Sequence, residues 1–227
     1  MMVQLINMRV GSFLSDLMVI ASLVIPGLTW LLTTSDLQSY FAYQNLDGQF
    51  LYVLSKLFGL YAVVFVWLQL LGGLLKPQVE KYYSPLSVRF HKTMGSVSFL
   101  LVILHVILFI TAVSLRNDHI AWKLLIPKFD QGYYAFMLTM GLLALGLMTI
   151  GILARGVLLR YSSAKRWMHR FIFVAFYMVL LHSYTIGSET RVGAMKFLYL
   201  LMLVSISGAL LHKILNYWRK GRHNAFA

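Results

Sequence analysis

The sequence contains no cysteine and few charged residues. Without cysteine, the chain holds no disulfide, no thiolate-ligated iron–sulfur cluster and no thiolate-ligated or CxxCH-attached haem. Only 12% of its 227 residues are charged, whereas a soluble domain carries about 25%. Hydrophobic residues make up 59% and the mean hydropathy is +0.75. We therefore expect a polytopic membrane protein.

Six apolar runs each come close to the ~20 residues that a helix needs to cross a bilayer. None of them alternates between apolar and polar residues as the strands of a membrane barrel do. We predict an all-α bundle of six transmembrane helices, over residues 10–32, 51–75, 93–115, 132–154, 170–186 and 194–215. The first run contains Pro26, and no small-residue cleavage site follows it, so we expect a retained helix rather than a signal peptide.

Positive charge is concentrated on one side of this topology. Fourteen of the twenty lysines and arginines fall on the side that holds both termini, and five of the seven acids fall on the other side. This is the positive-inside pattern, which predicts that both termini are cytoplasmic. We expect a multi-pass protein of the bacterial inner membrane. The distribution also accounts for the net charge of +13 without nucleic-acid binding.

The connections between the apolar runs are short. The longest cover about residues 33–50 and 116–131, and no glycine-rich nucleotide fingerprint follows a strand. We therefore expect one transmembrane domain over residues 1–227, with no flavin or nucleotide domain of its own. No Ser–His–Asp set or carboxylate cluster is visible, so no catalytic residue is predicted.

Four of the seven histidines form two matched pairs inside the apolar runs. His91 and His105 lie on the third predicted helix, and His169 and His182 lie on the fifth. The separations of 14 and 13 residues correspond to about 21 and 19.5 Å of α-helix. Because these two helices run parallel, each of two depths receives one histidine from each helix.

Paired imidazoles at two depths are typical of haem iron. A polar group left without a partner in apolar surroundings costs roughly 2–7 kcal/mol, so the four rings are expected to be held. Haem iron takes axial ligands from opposite faces of its macrocycle, and facing helices can supply them. We predict two haem b groups, ligated by His91, His105, His169 and His182.

The two spacings do not match in angle. At about 100° per residue, His91 and His105 lie ~40° apart around their helix, whereas His169 and His182 lie ~140° apart. Tilt of the helix, a local distortion or different rotations of the two haems would each make up the difference. The sequence leaves these three alternatives open.

Basic residues flank the inner member of each pair. Haem propionates would find charge-assisted partners there, and the candidates are Arg89, Lys92, Arg166 and Arg170.

The remaining histidines have plainer explanations. His119 is either a solvated loop residue or a contact for an acceptor or metal, while His212 and His223 are interpreted as interfacial residues. Asp16 is interpreted as solvated or paired rather than as part of a proton relay.

The residues around the pairs resemble the ferric reductase-like transmembrane domain superfamily. It includes the membrane parts of ferric reductases and NADPH oxidases and the haem subunit of a periplasmic methionine sulfoxide reductase system. Its signature is H-x13-H on one helix and H-x12-H two helices later, and "RFHKTMG" resembles its H-[KR]-x-[LM]-G start. The stretch "SSAKRWMHRF" resembles the basic-Trp-His-Arg entry of the family to the later helix. The family usually has a longer gap between this Trp and His, whereas here only Met168 separates Trp167 from His169. The resemblance covers about residues 50–215.

The resemblance implies how the histidines are paired. It places His91 with His169 at an inner haem and His105 with His182 at an outer haem, carrying electrons from the cytoplasm outward. It implies a separate donor at the cytoplasmic face, either a flavoprotein or a quinol, so any flavin comes only through a partner. The acceptor would be a periplasmic or extracellular protein, ferric iron or oxygen.

Two alternatives stay open. One is a quinol-linked cytochrome b subunit of a periplasmic oxidoreductase. The other, from a different class, is a haem-free transporter or assembly factor. Whether the chain is itself an enzyme, rather than the membrane redox subunit of one, is left open by its sequence.

Overall fold

The computed structural model describes residues 2–34, 48–75, 88–157 and 167–225. The described residues form helices and short connections, without a β-strand. The helices are α1 (Met2–Thr33), α2 (Gln49–Leu74), α3 (Val88–Asn117), α4 (Tyr133–Val157), α5 (Phe171–Ile186) and α6 (Gly193–Ala225). Two short 3₁₀ helices, Trp122–Leu125 and Glu189–Arg191, lie between α3 and α4 and between α5 and α6.

Six stretches, one in each long helix or its immediate flank, are long and apolar enough to cross a membrane. The prediction of an all-α fold with six such helices is therefore confirmed. Large apolar side chains also cover the outside of the bundle, as on α6, where Phe197 and Val204 are exposed. Exposed apolar surface of this kind marks contact with lipid or protein rather than with water. Such a surface is expected of a multi-pass membrane protein, whose helices face lipid.

The middle of the bundle consists of two helical hairpins. Helix α2 packs along α3, and α4 packs along α5. Between the hairpins, the closest packing is that of α2 against α5, while α3 and α5 are not closely packed in the part of the chain that is described. We call the end of the bundle at which α2 ends and α3 begins the basic end, and the other the opposite end. The two histidine-bearing helices are thus held apart by the hairpins to which they belong.

Two buried tryptophans attach the outer helices to α2. The Trp67 indole, fully buried, donates a 2.9 Å hydrogen bond to the Ser205 hydroxyl on α6. The Trp30 indole on α1 donates a 2.7 Å bond to the Val53 carbonyl. A buried indole N–H needs such a partner, so these bonds fix where α1 and α6 lie along α2.

Candidate functional site

His105 and His182 line one cavity of about 170 Å³ towards the opposite end of the bundle. One water molecule needs ~10–15 Å³ of such space, so the cavity is far larger than a packing defect. Helices α2, α3, α4 and α5 all contribute to its walls, which are mostly apolar. The cavity occupies the place where α3 and α5 do not meet.

The His105 ring is held against α2. Its Nδ1 lies 2.7 Å from the carbonyl oxygen of Ser55. Because a carbonyl only accepts hydrogen bonds, Nδ1 carries a proton, and in the neutral imidazole Nε2 then keeps its lone pair. Gly59, one turn further along α2, makes room for the ring: a Cβ there would lie 3.0 Å from Nδ1 of His105.

The His182 ring is held against α4 in the same way. Its Nδ1 donates to the carbonyl of Met137 over 2.7 Å. Gly141, again one turn beyond that carbonyl, lies beneath the ring, and a Cβ there would come within 2.9 Å of it. The second hairpin therefore repeats the first: a carbonyl, a glycine four residues later, and a histidine on the partner helix.

This arrangement leaves each ring ready to ligate a metal. A metal-bound histidine typically donates its other ring N–H to a carboxylate, a backbone carbonyl or water, which fixes both its tautomer and its orientation. His105 and His182 both make that bond, and no hydrogen bond within the described part of the chain reaches Nε2 of either ring. The donor set fits an iron that takes two neutral imidazoles.

His91 and His169 come together at the basic end. Their ring centres lie 6.2 Å apart and their planes are inclined at 72°. With metal–imidazole bonds of about 2.0–2.1 Å, and about 1.1 Å from each nitrogen to its ring centre, two imidazoles on opposite sides of one ion have centres about 6.3 Å apart. Ordinary aromatic contacts cover ~4.5–7 Å. The observed distance suits a shared ion as well as a direct edge contact.

A glutamine helps to place the basic-end pair. The Gln69 amide on α2 donates a 2.8 Å hydrogen bond to the backbone carbonyl of His91. Gly95 lies one turn further along α3, beside the same amide. A Cβ at this position would lie 3.3 Å from the amide nitrogen of Gln69. Small residues at this point let α2 and α3 approach closely.

The turn that precedes α5 is tighter than a regular α-helical turn. Two i→i−3 hydrogen bonds, from Arg170 N to Trp167 O and from Phe173 N to Arg170 O, are made there. The ψ of −21° at Arg170 is a 3₁₀ value. A 3₁₀ turn advances ~120° per residue instead of ~100°, so each such step reduces the ~140° between His169 and His182. A local distortion thus acts in the direction that brings the two spacings closer in angle.

The candidate propionate contacts are only partly described. The Arg89 side chain and the whole of Arg166 lie outside the described residues. Lys92 is exposed on α3. Arg170 is exposed and its guanidinium carbon lies 5.3 Å from the centre of the Trp167 ring.

The other titratable residues considered from sequence lie away from both pairs. His119 is exposed in the α3–α4 connection, where its Nδ1 donates to the Asn117 carbonyl over 2.7 Å. His212 is exposed on α6 and contacts Asn216 at 2.9 Å, Asp16 is exposed on α1, and the His223 side chain lies outside the described residues.

The described residues contain no group of three or more His, Asp or Glu side chains placed to hold a metal ion. Each predicted iron needs only two protein ligands, because the macrocycle supplies the others.

An ion pair at the cavity wall was not foreseen from the sequence. The Lys56 ammonium on α2 lies 2.8 Å from the Glu189 carboxylate and 2.9 Å from the Ser188 hydroxyl. The Glu189 side chain is only 7% exposed, and that of Lys56 22%. The available signal was a single cation inside the apolar run 51–75, since a charge there calls for a partner.

We expect Lys56→Met to lower the stability of the protein by about 2 kcal/mol, less than the ~3–5 kcal/mol of a fully buried pair because Lys56 is partly exposed. The Glu189 carboxylate would be left buried without its counter-ion. Thermal unfolding in detergent measures the change, with Lys196→Met, an exposed lysine on α6, as the control. Adding Glu189→Gln should restore part of the loss; a double variant as unstable as the sum of the singles would contradict the pairing.

No protein-family model, curated protein or solved structure matches this chain. The resemblance to ferric reductase-like domains thus depends on the histidine spacing and the residues around it. The two-hairpin geometry is an independent observation.

Proposed function

We propose that this protein is a dihaem b-type transmembrane electron-transfer protein of the bacterial inner membrane, with both termini in the cytoplasm. The observation that supports it best is the repeated arrangement of His105 and His182. Each gives its Nδ1 proton to a carbonyl of its own hairpin, and both line one cavity between the hairpins. Two separate helices thus present neutral imidazoles to the same space.

In this proposal His105 and His182 hold the outer haem, and His91 and His169 hold the inner one. Bound haem supplies one-electron chemistry. The chain orients His105 and His182 through their Nδ1 hydrogen bonds and surrounds this outer pair with mostly apolar side chains. Arg89, Lys92, Arg166 and Arg170 remain the candidates for binding the inner propionates.

We propose the partners that the resemblance to ferric reductase-like domains implies. A separate flavoprotein or a quinol would deliver electrons at the basic, cytoplasmic end, and an outer-side acceptor would take them up. A full traverse of the membrane field changes the energy of an electron by about 2.3 kcal/mol per 100 mV. The fourteen cations of that side favour an acidic donor protein.

The course of the helices favours electron transfer over transport. Secondary transporters bind substrates at helices broken near mid-depth. Helices α3 and α5 instead run unbroken through His105 and His182, and the irregular start of α5 lies at its basic end, near His169.

A reduced-minus-oxidised spectrum of the purified protein, with haem quantification, tests the proposal. We expect a b-type spectrum and about two haems per chain, because the proposal assigns two bis-histidine sites. A colourless protein from haem-sufficient cells would contradict the proposal and favour a haem-free transporter or assembly factor. A spectrum that shifts on adding a quinol analogue would assign the donor as quinol.

A further inference from the structure

The connection between α3 and α4 exposes an unusual number of large apolar side chains. We call residues 120–129 the roof segment; it contains the 3₁₀ helix Trp122–Leu125. Ile120 is 75% exposed, and Phe129 is 58% exposed. The other large apolar residues of the segment that lie exposed are Trp122, Leu125 and Ile126. Five such residues in ten are more than a connection bathed in water is expected to show.

The roof segment is fastened at both ends. At its start, the Ala121 amide donates a 2.9 Å hydrogen bond to the Ser114 hydroxyl on α3. At its end, the Thr139 hydroxyl on α4 accepts from the Lys128 amide at 2.8 Å and lies 2.9 Å from the Lys128 carbonyl. These bonds satisfy backbone groups that would otherwise call for water. The exposed apolar side chains therefore belong to a fixed surface.

The other side of the segment covers the cavity. Leu124 is half-buried, and it lines the same cavity as His105 and His182, together with Leu125. Leu124 thus packs inward and Leu125 borders the cavity while half exposed, whereas Trp122 and Ile126 are exposed and do not line the cavity. The roof segment is a thin apolar layer between the cavity and whatever lies outside the molecule.

We propose that the roof segment lies in the lipid headgroup layer, with its exposed apolar side chains inserted into the membrane and its lysines on anionic headgroups. The neighbouring membrane spans end at Asn117 and begin at Tyr133, so the segment is held at the membrane surface. Trp122 is of the residue type enriched at that depth. Lys123 and Lys128 place two cations within the segment, and their long stems reach phosphate while apolar neighbours stay in lipid.

This inference goes beyond the proposed function and holds with or without haem. It means that the cavity is separated from the aqueous phase by lipid-seated side chains along its α3–α4 edge. The polar edge of the cavity, where Lys56 meets Glu189, lies on a different connection.

The absence of cysteine makes a direct test simple. Single-cysteine variants Ile120→Cys and Ile126→Cys, exposed positions that do not line the cavity, each carry a nitroxide label and are reconstituted into phosphatidylcholine vesicles with and without phosphatidylglycerol. Asp130→Cys and Gln131→Cys, exposed polar positions on the same connection, are the matched controls. Collision rates with oxygen and with a water-soluble nickel chelate report the depth of each label.

We expect the ratio of oxygen to nickel collisions at Ile120 and Ile126 to be several-fold higher than at the two controls. Equal nickel access at all four positions would overturn the proposal and leave the surface to a protein partner. The two apolar positions are independent, and each labelled protein is required to keep the wild-type unfolding midpoint, so one misfolded variant does not remove the test.

The lysines are tested on the Ile120→Cys background. The label at position 120 is expected to lie deeper in vesicles with phosphatidylglycerol than in neutral vesicles. Replacing both lysines, by Lys123→Gln and Lys128→Gln together, should remove this difference in depth. Depth that does not depend on lipid charge in the protein with both lysines would overturn the anionic part of the proposal.

Discussion

Replacing His105 or His182 with alanine is expected to remove about one of the two haems, and replacing both together should remove no more than either alone. The reason is that both rings line one cavity and would ligate one iron. Loss of either ring would release that haem, so loss of the second ring would have no further effect. Effects within one site are non-additive, whereas those of separate sites add. His91→Ala combined with His105→Ala should therefore remove both haems. Haem extracted per chain is the quantity measured.

His119→Ala and His212→Ala serve as controls, because both residues are exposed and lie away from the two pairs. They should keep about two haems per chain. Additive losses for His105→Ala with His182→Ala would mean that these residues do not share an iron, even if the protein binds haem. The design therefore separates the pairing from the existence of the haems.

Gly141→Ala is expected to lower the affinity for the outer haem by about 10–100-fold, the usual effect of disturbing a residue that orients a metal ligand. A Cβ at position 141 would come within 2.9 Å of the His182 ring, so the ring has to move away from the Met137 carbonyl. Gly59→Ala, at 3.0 Å from His105, should act in the same direction and somewhat less. Titration of the apoprotein with haem, followed by its absorption band, gives the affinity.

Each glycine has a matched control on its own helix. A Cβ at Gly146 on α4, or at Gly72 on α2, would meet nothing within 4 Å. Alanine at these two positions should leave haem affinity unchanged. The reduction potential of the outer haem provides a second readout, since a ring displaced from its carbonyl becomes a less basic ligand. Equal effects at Gly141 and Gly146 would show that the substitution acts through the helix and not through the ring.

The sequence predicted the helical spans well because lipid requires long apolar runs. The predicted run 51–75 and the helix Gln49–Leu74 differ by only one or two residues at each end. The helix α6 was predicted to end at residue 215 but continues to Ala225. Hydropathy reports where the apolar part ends, whereas helical hydrogen bonds continue through the polar residues that follow.

The spacing of the histidines along the sequence also indicated the two pairs, but not the groups that orient the His105 and His182 rings. Nothing in the apolar pattern distinguishes Gly59 from Gly72 on the same helix, since only tertiary packing decides which glycine meets an imidazole. The carbonyls of Ser55 and Met137 are backbone groups and leave no mark in the sequence. Lys56 and Glu189 are 133 positions apart, so their contact depends on how α2 meets the α5–α6 connection.

The separation of the bundle into two self-packed hairpins has a consequence for biogenesis. Because α2 with α3 and α4 with α5 each bury their own shared surface, we expect each pair to insert into the membrane as a unit. Association of such preformed units within the bilayer is the second stage of membrane protein folding. A haem bound between the two hairpins would then enter after both have been inserted, along the plane of the membrane. Synthesis of the polypeptide would in that case not depend on the supply of iron or porphyrin.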